Sequence, residues 1–322
     1  AYFRVEDLPA EPAARDDLIL RIMGSPHPQQ IDGLGGAHPL TSKVAIVGLS
    51  QEPGVDLDYE FLQVGVDEPT VSGAQTCGNL LAGVTPFAIE RDMLAAGDPE
   101  TVVRIRLRNT GDLAVARLAT PGGILSYDGD AEIDGVPGTG NPISLEVTTG
   151  AGPLLPTGLV AEEILGRRAS LVSNGMPVVV LDAAEFGVAG DETPAELESR
   201  DGLRRAVEEV RIEAGRRMGL GDVSGLSVPK MMLVSPPRHG GAVSVRAFIP
   251  HRVHTALGVL MGAGVAAAVQ LPGAVGSEMA APVEDGEVLL EHPKGVLRSR
   301  VRVERSGGSW RASSTSLRTA PH

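Results

Sequence analysis

Two stretches of this chain are almost free of polar residues for the length of a helix, and enclosing them is the strongest demand the sequence makes of any fold. The first runs from Asn79 to Leu94 (NLLAGVTPFAIERDML), with Thr85 the one polar residue between Leu80 and Ile89. The second runs from Val253 to Leu271, mostly Ala, Gly and Val, with His254 near its start and Gln270 near its end. A helix that is apolar all round must be covered on every side. A curled sheet wrapped around it is an economical cover. The expected fold class is therefore α+β: two similar domains, each a curled, mostly antiparallel sheet around a central apolar helix. Gly258 and Gly262 have the small-xxx-small spacing of membrane helix pairs. The second stretch is nonetheless barely long enough to span a bilayer, so a buried core helix is expected and a membrane is not.

Shorter signals fill in this plan. Asp16–Met23 reads as a short amphipathic helix stopped by Gly24-Ser25-Pro26. Gly33, Gly35 and Gly36 make a loop ahead of Lys43–Leu49 (KVAIVGL), a β-branched run expected as a buried strand. Strands are also expected at Asp58–Val66, Val102–Arg108 and Leu113–Leu118, the last two joined by the turn Asn109-Thr110-Gly111. The helix from Asn79 should bend or break at Pro86 and stop at Gly97-Asp98-Pro99. A stretch from Pro121 to Gly158, rich in Gly, Pro and Thr, marks the crossing between domains, placed at 1–148 and 149–309, with the segment from about 310 to 322 returning to the first. In the second half, strands are expected at Val178–Leu181, Lys230–Val234 and Ala242–Phe248. A charged helix is expected from about Pro194 to Met218, the apolar helix from His254, and two or three short strands within Val288–Leu317. Each apolar helix follows a polar cluster, Gln75-Thr76-Cys77-Gly78-Asn79 in one half and Pro250-His251-Arg252-Val253-His254-Thr255 in the other. Two helix N-termini free to face a common cleft are thus expected.

Composition narrows the partners. The 322 residues are 42% apolar and 21% charged, enough for a folded chain, while nine aromatics against 41 Gly and 24 Pro leave the core to Val, Leu, Ile and Ala. A net charge of −13 repels polyanions, which argues against nucleic acid. Cys77, the only cysteine, makes no intrachain disulfide, and the first residues lack a basic and then apolar leader; a cytoplasmic protein is expected.

A few residues have the chemistry of a site. Cys77 sits just ahead of a helix, where free N–H groups favour a thiolate able to take and return a proton; the alternative is a small buried thiol. Lys43 opens an apolar strand, where its amine could act as base, acid or carboxylate anchor; the alternative is a lysine whose amine reaches water from a strand end. His251, Arg252 and His254 could bind a carboxylate or simply cap the chain. His251 and His254 have no third ligand at a fitting spacing, so no metal is assigned. Asn174-Gly175-Met176-Pro177 could offer backbone N–H groups to an anion. The glycines match neither a dinucleotide fingerprint nor a P-loop, and no Gly-Xaa-Ser-Xaa-Gly is present.

Seven blocks together resemble the PrpF family: Gln30-Ile31-Asp32-Gly33-Leu34-Gly35-Gly36, Leu40-Thr41-Ser42-Lys43-Val44, Cys77-Gly78-Asn79, Asn174-Gly175-Met176-Pro177, Gly221-Asp222-Val223-Ser224, Val228-Pro229-Lys230-Met231 and Phe248-Ile249-Pro250-His251-Arg252. The resemblance spans nearly the whole chain. It implies a diaminopimelate epimerase-like fold and a cofactor-free isomerase with its active site in the cleft between the two similar domains. The blocks Gly24-Ser25-Pro26, Leu154-Leu155-Pro156-Thr157-Gly158 and Arg217-Met218-Gly219-Leu220-Gly221-Asp222 look closest to its 4-oxalomesaconate tautomerases. On this reading Cys77 and Lys43 are the acid and base, while Ser42, Gly78, Asn79, Asn174, Met176, His251, Arg252 and Thr255 bind substrate. The expected reaction is keto–enol tautomerisation of an unsaturated tricarboxylate in aromatic catabolism. The alternatives are cis-trans isomerisation of 2-methylaconitate and non-catalytic binding of a small anion. The only expected partners are a small polycarboxylate and a second copy of the chain in a homodimer. Two-cysteine epimerases of this fold place a thiol at each helix start; no cysteine lies near His254, so two-thiol racemisation is excluded. Family members also carry a strand and a Gly-Gly-Thr-Ser-Lys-Gly loop ahead of the residue that is Ala1 here, and a strand beyond His322, so part of an anion site is expected outside this sequence.

Overall fold

The computed structural model describes residues 1–134, 136–148, 152–250, 252–283 and 285–319, with side chains described through 313. The chain divides into two compact units. Among the described residues, one comprises Ala1–Gly129 and Gly140–Ile143; the other comprises Asp130–Thr139 and Ser144–Thr319.

In the first unit β1 (Tyr2–Arg4) is followed by α1 (Pro12–Met23), which starts four residues ahead of the predicted Asp16. Glu11 caps it, accepting from the N–H groups of Ala13 and Ala14 at 3.0 and 2.6 Å, and Pro12 occupies the first turn, where its missing N–H is not needed. Gly24, at φ 77°, ends the helix as predicted. Next come β2 (Lys43–Leu49), β3 (Leu57–Val64) and the two-residue β4 (Val71–Ser72).

The first apolar stretch forms two short helices, α2 (Gly78–Ala82) and α3 (Val84–Glu90). The break falls at Gly83 and not at Pro86. A proline removes the N–H that would bond four residues back and crowds that carbonyl; four residues back is Ala82, so the chain interrupts there and Pro86 falls in the first turn of α3. β5 (Glu100–Leu107) and β6 (Leu113–Ala119) form the predicted hairpin, with Gly111 at φ 77°.

Strands of this unit run in the order β1-β2-β3-β5-β6 with β4 on β3, and the β1–β2 and β3–β5 pairs are parallel. Ile19 and Met23 of α1 pack on Val44, Ile46, Leu62 and Val64, and α2 and α3 pack on β2.

The chain passes to the second unit within β7 (Pro142–Thr148). Then come β8 (Glu162–Ile164), β9 (Arg167–Ser173), β10 (Pro177–Asp182), α4 (Pro194–Glu198) and α5 (Asp201–Arg217). These are followed by β11 (Lys230–Ser235), β12 (Val243–Phe248), α6 (Val259–Ala268), β13 (Glu287–His292), β14 (Gly295–Ser306) and β15 (Ser309–Thr319).

The single helix predicted from Pro194 is two. Thr193 and Glu196 form a capping box that starts α4, and the helical run is broken before Asp201. The strands near the end are longer than predicted, because β14 and β15 form a hairpin around Gly307-Gly308. Through Thr319 that hairpin falls in the second unit.

The second unit's strands run β15-β14-β13-β12-β11-β10-β9-β8, a mixed order with parallel pairs at β10–β11 and β12–β13. Every residue of α6 is buried. It packs on β13 and β14 toward one end of that order and on β9 and β10 toward the other, so the sheet curls around it. Gly262 and Gly264 permit this closeness: a Cβ on either would lie 2.2 Å from Leu297 or 2.6 Å from Val178. The amphipathic α5 buries Leu203, Val207, Val210 and Ala214 in a separate cluster with Leu233 and Phe248. No helix among the described residues is long and apolar enough to cross a membrane.

Candidate active site

Lys43 opens β2, and Cys77 is the residue immediately before α2. Although 34 positions apart in sequence, the Lys43 Nζ lies 3.9 Å from the Cys77 Sγ. The approach follows from the packing of α2 and α3 on β2, which brings a helix start beside a strand start. Cys77 is 9% exposed and Lys43 is half-buried, so the thiol is shielded but not sealed.

Two features hold the thiol in place. The Cys77 carbonyl accepts the N–H of Leu81 at 3.0 Å, closing the first turn of α2, and the hydroxyl of Tyr59 donates to the same oxygen at 3.0 Å. Tyr59 is fully buried on β3. Burial, followed by the negative charge that Cys77 can carry, holds its phenol well above the ordinary tyrosine value, so it stays a donor. Tyr2 is raised for the same two leading reasons, and its hydroxyl donates to Leu80 at 2.7 Å one turn further along. A Cβ on Gly83 would lie 2.3 Å from that hydroxyl, so this glycine allows the tyrosine to approach.

Of the other residues predicted from the sequence, Gly78 is buried and Asn79 exposed in the first turn of α2, where the leading N–H groups of a helix have no partner within it. Ser42 is wholly buried, and its hydroxyl accepts from the side-chain amide of Gln30 at 2.8 Å. It supports the start of β2 from beneath.

The second-unit residues have other surroundings. Asn174 is buried and donates through Nδ2 to the Ala263 carbonyl of α6 at 3.0 Å, its Oδ1 having no partner. Met176 is buried beside β10. Arg252 is exposed and paired through Nε with Glu198 at 3.0 Å, and the same carboxylate accepts the Val253 N–H at 2.8 Å. Thr255 is exposed in a bend, and the prediction that α6 begins at His254 is corrected: Gly258 precedes the first helical residue, Val259. His254 is engaged before that point, its backbone N–H bonding to the Ala247 carbonyl and its Nδ1 accepting from Ala256. The polar cluster is thereby tied to β12 and α4 and lies outside the helix. His251 is outside the described residues. Among those described, no group of three or more His, Cys, Asp or Glu side chains is placed to hold a metal ion.

Sequence reasoning missed Tyr59 and gave Gln30 no individual role. Tyr59 is one of only three tyrosines in the chain and the only hydroxyl-bearing residue of its strand. That scarcity was a usable signal.

The family described as PrpF protein matches residues 1–320. The chain is 51% identical over 325 residues to the (4E)-oxalomesaconate Delta-isomerase of Novosphingobium sp. (strain KA1), covering 99% of this chain and 90% of that one. It is 46% identical to the 4-oxalomesaconate tautomerase of Pseudomonas putida, covering 94% and 86%. The crystal structure of a methylitaconate-delta-isomerase superposes with a TM-score of 0.77 at 31% identity, covering 99% of this chain and 90% of that chain. A hydroxyproline epimerase with a TM-score of 0.56 at 17% identity shares the fold.

Proposed function

This chain belongs to the PrpF family and is an isomerase, and from that premise we propose that it interconverts the keto and enol forms of an unsaturated tricarboxylate, 4-oxalomesaconate. The observation that carries the reading is the 3.9 Å approach of Lys43 Nζ to Cys77 Sγ. Tautomerisation breaks a C–H bond next to a carbonyl and forms an O–H bond on that carbonyl, or the reverse. One member of the pair takes the proton from carbon while the other supplies one to oxygen, a division of labour that needs both groups within reach of one small acid. The intermediate is an enolate, whose negative charge is stabilised by the Lys43 ammonium and by the N–H groups of Gly78 and Asn79 at the start of α2. Tyr59 keeps the Cys77 backbone fixed while the thiol exchanges its proton. The net charge of −13 opposes a trianion at long range, so the attraction is local to these groups. Arg252 would have to release Glu198 to serve a substrate carboxylate, so the reading stands on the first unit.

The test follows the ultraviolet absorbance of 4-oxalomesaconate with the purified protein, alongside proton NMR in D₂O. Turnover with deuterium entering the substrate, lost in Lys43→Ala and Cys77→Ala, is expected. Activity on 2-methylaconitate alone would replace the substrate. Variants that change only affinity, with no deuterium incorporated into any candidate acid, would replace the enzyme with an anion-binding protein.

A further inference from the structure

The block Gln30–Gly36 was recognisable in the sequence but has no part in the proton transfer described above. In the structure it folds around one buried side chain. Gln30 is 1% exposed and sits at φ 44°, a left-handed conformation uncommon outside glycine that persists only where the surroundings enforce it. Its side-chain amide is fully used. Nε2 donates to Ser42 Oγ at 2.8 Å and to Ser25 Oγ at 2.9 Å, and Oε1 accepts the Ala37 N–H at 3.0 Å. The glycines explain themselves against this hub: a Cβ on Gly35 would lie 2.1 Å from the Gln30 amide, and one on Gly33 2.2 Å from the backbone of Met23 and Gly24. Ser42 is gripped again through its carbonyl, which accepts from Gln63 Nε2 at 2.9 Å and from the Val64 N–H at 3.1 Å. The next residue is Lys43.

We propose that Gln30 is a positioning residue that acts through Ser42 to fix the start of β2, so that the Lys43 ammonium stays against Cys77. This rests on the reading of Lys43 and Cys77 as the proton-transfer pair. Loss of the amide leaves the buried Ser42 hydroxyl without its donor and frees the strand start, and a displacement of the order of an ångström in a reacting group is costly to rate while leaving substrate affinity nearly intact.

Because Cys77 is the only cysteine, iodoacetamide reports on it alone. Lys43 Nζ lies 3.9 Å from the thiol, so Lys43→Met gives the alkylation rate at about pH 7.5 with that neighbour removed. In Gln30→Met, kcat is expected to fall roughly ten- to a hundredfold, with KM within about twofold. Its alkylation rate should move toward that of Lys43→Met. Gln30→Glu should recover part of the rate, because the Ser42 hydroxyl can rotate to donate to a carboxylate, whereas the Ser25 hydroxyl already donates to the Gly65 carbonyl. Ser42→Ala should reproduce the loss, and the double variant should lose no more than either single one.

Unchanged alkylation and kcat in folded Gln30→Met, or losses from Gln30→Met and Ser42→Ala that multiply, would overturn the proposal. Should Gln30→Met fail to fold, Ser42→Ala decides by the same two readouts. Alkylation needs no substrate, so if 4-oxalomesaconate is not turned over, the proposed reaction fails while the alkylation rates still decide the role of Gln30. If instead Lys43→Met alkylates as fast as the parent protein, the pair itself is refuted and the positioning role with it.

Discussion

The two apolar stretches begin alike in sequence and end differently in structure. In the first unit the polar cluster runs directly into a helix: Cys77 is the last residue before α2, with Gly78 and Asn79 in its first turn. In the second unit the chain runs on through Leu257 before α6 starts, and the cluster is engaged structurally, with Arg252 on Glu198 and His254 bonded to β12 and Ala256. The helices differ in the reverse sense. α6 is an unbroken, wholly buried ten-residue core element, whereas α2 and α3 are short pieces split at Gly83. One half therefore uses its apolar stretch to hold a thiol beside an amine, and the other uses it as a mandrel for a sheet. Likeness of sequence plan does not carry likeness of chemistry.

The contrast breaks most sharply at the proposed proton-transfer pair. Cys77→Ala and Lys43→Met are each expected to lower kcat by roughly 10²- to 10⁴-fold with little change in melting temperature, whereas Arg252→Ala in the matching cluster should not; stopped assays on purified variants decide. The next effect in size is structural and belongs to α6. Gly262→Ala forces a Cβ to within 2.2 Å of Leu297 and should destabilise by about 1–3 kcal/mol, read as a lower urea midpoint.

A carboxylate in the second unit sharpens the comparison through pH. Burial opposes the charge on Glu291, but the N–H groups of Arg238, Gly241 and His239 more than offset it, and its pKa is held below the ordinary glutamate value. Its stabilising contribution is therefore complete above the ordinary value and disappears as pH falls through the lowered one. Glu291→Gln should cost about 1–3 kcal/mol at neutral pH, and the gap from the parent protein should narrow below about pH 4 in thermal melts.

Tyr59→Phe removes one buried hydrogen bond to the Cys77 carbonyl, so a loss of about 1 kcal/mol in stability should accompany a fall in kcat that exceeds any change in KM. Arg252→Ala is the smallest. Its pair with Glu198 is solvent-exposed and is worth less than about 1 kcal/mol, measurable as a shift in urea midpoint near the limit of detection.

The local rules were legible where one force dominates. β2 was predicted at its observed bounds because an unbroken β-branched run suits a buried strand, and the turn at Asn109–Gly111 because glycine supplies the positive φ that it needs. The helix bounds were harder to read. Pro86 announced a break, but the break lies upstream, next to Ala82, where the carbonyl that loses its partner sits. The segment from His254 to Gly258 leads straight into the apolar stretch, yet the His254 N–H is bonded to the Ala247 carbonyl of β12 and the helix starts only at Val259.

Composition and pattern by themselves determined that this chain has two buried apolar segments, a mostly antiparallel sheet to cover them, and a lone thiol and an amine with the right chemistry, because burial and backbone preference act on neighbours in sequence. Tertiary structure alone decided that Lys43 meets Cys77 while Arg252 meets Glu198, and that Gln30 and Tyr59 brace the first pair. Those contacts join residues 12 to 54 positions apart, and only the packing of α2 and α3 on β2, and the meeting of the end of α4 with the Arg252–Val253 segment that follows β12, brings their atoms within reach.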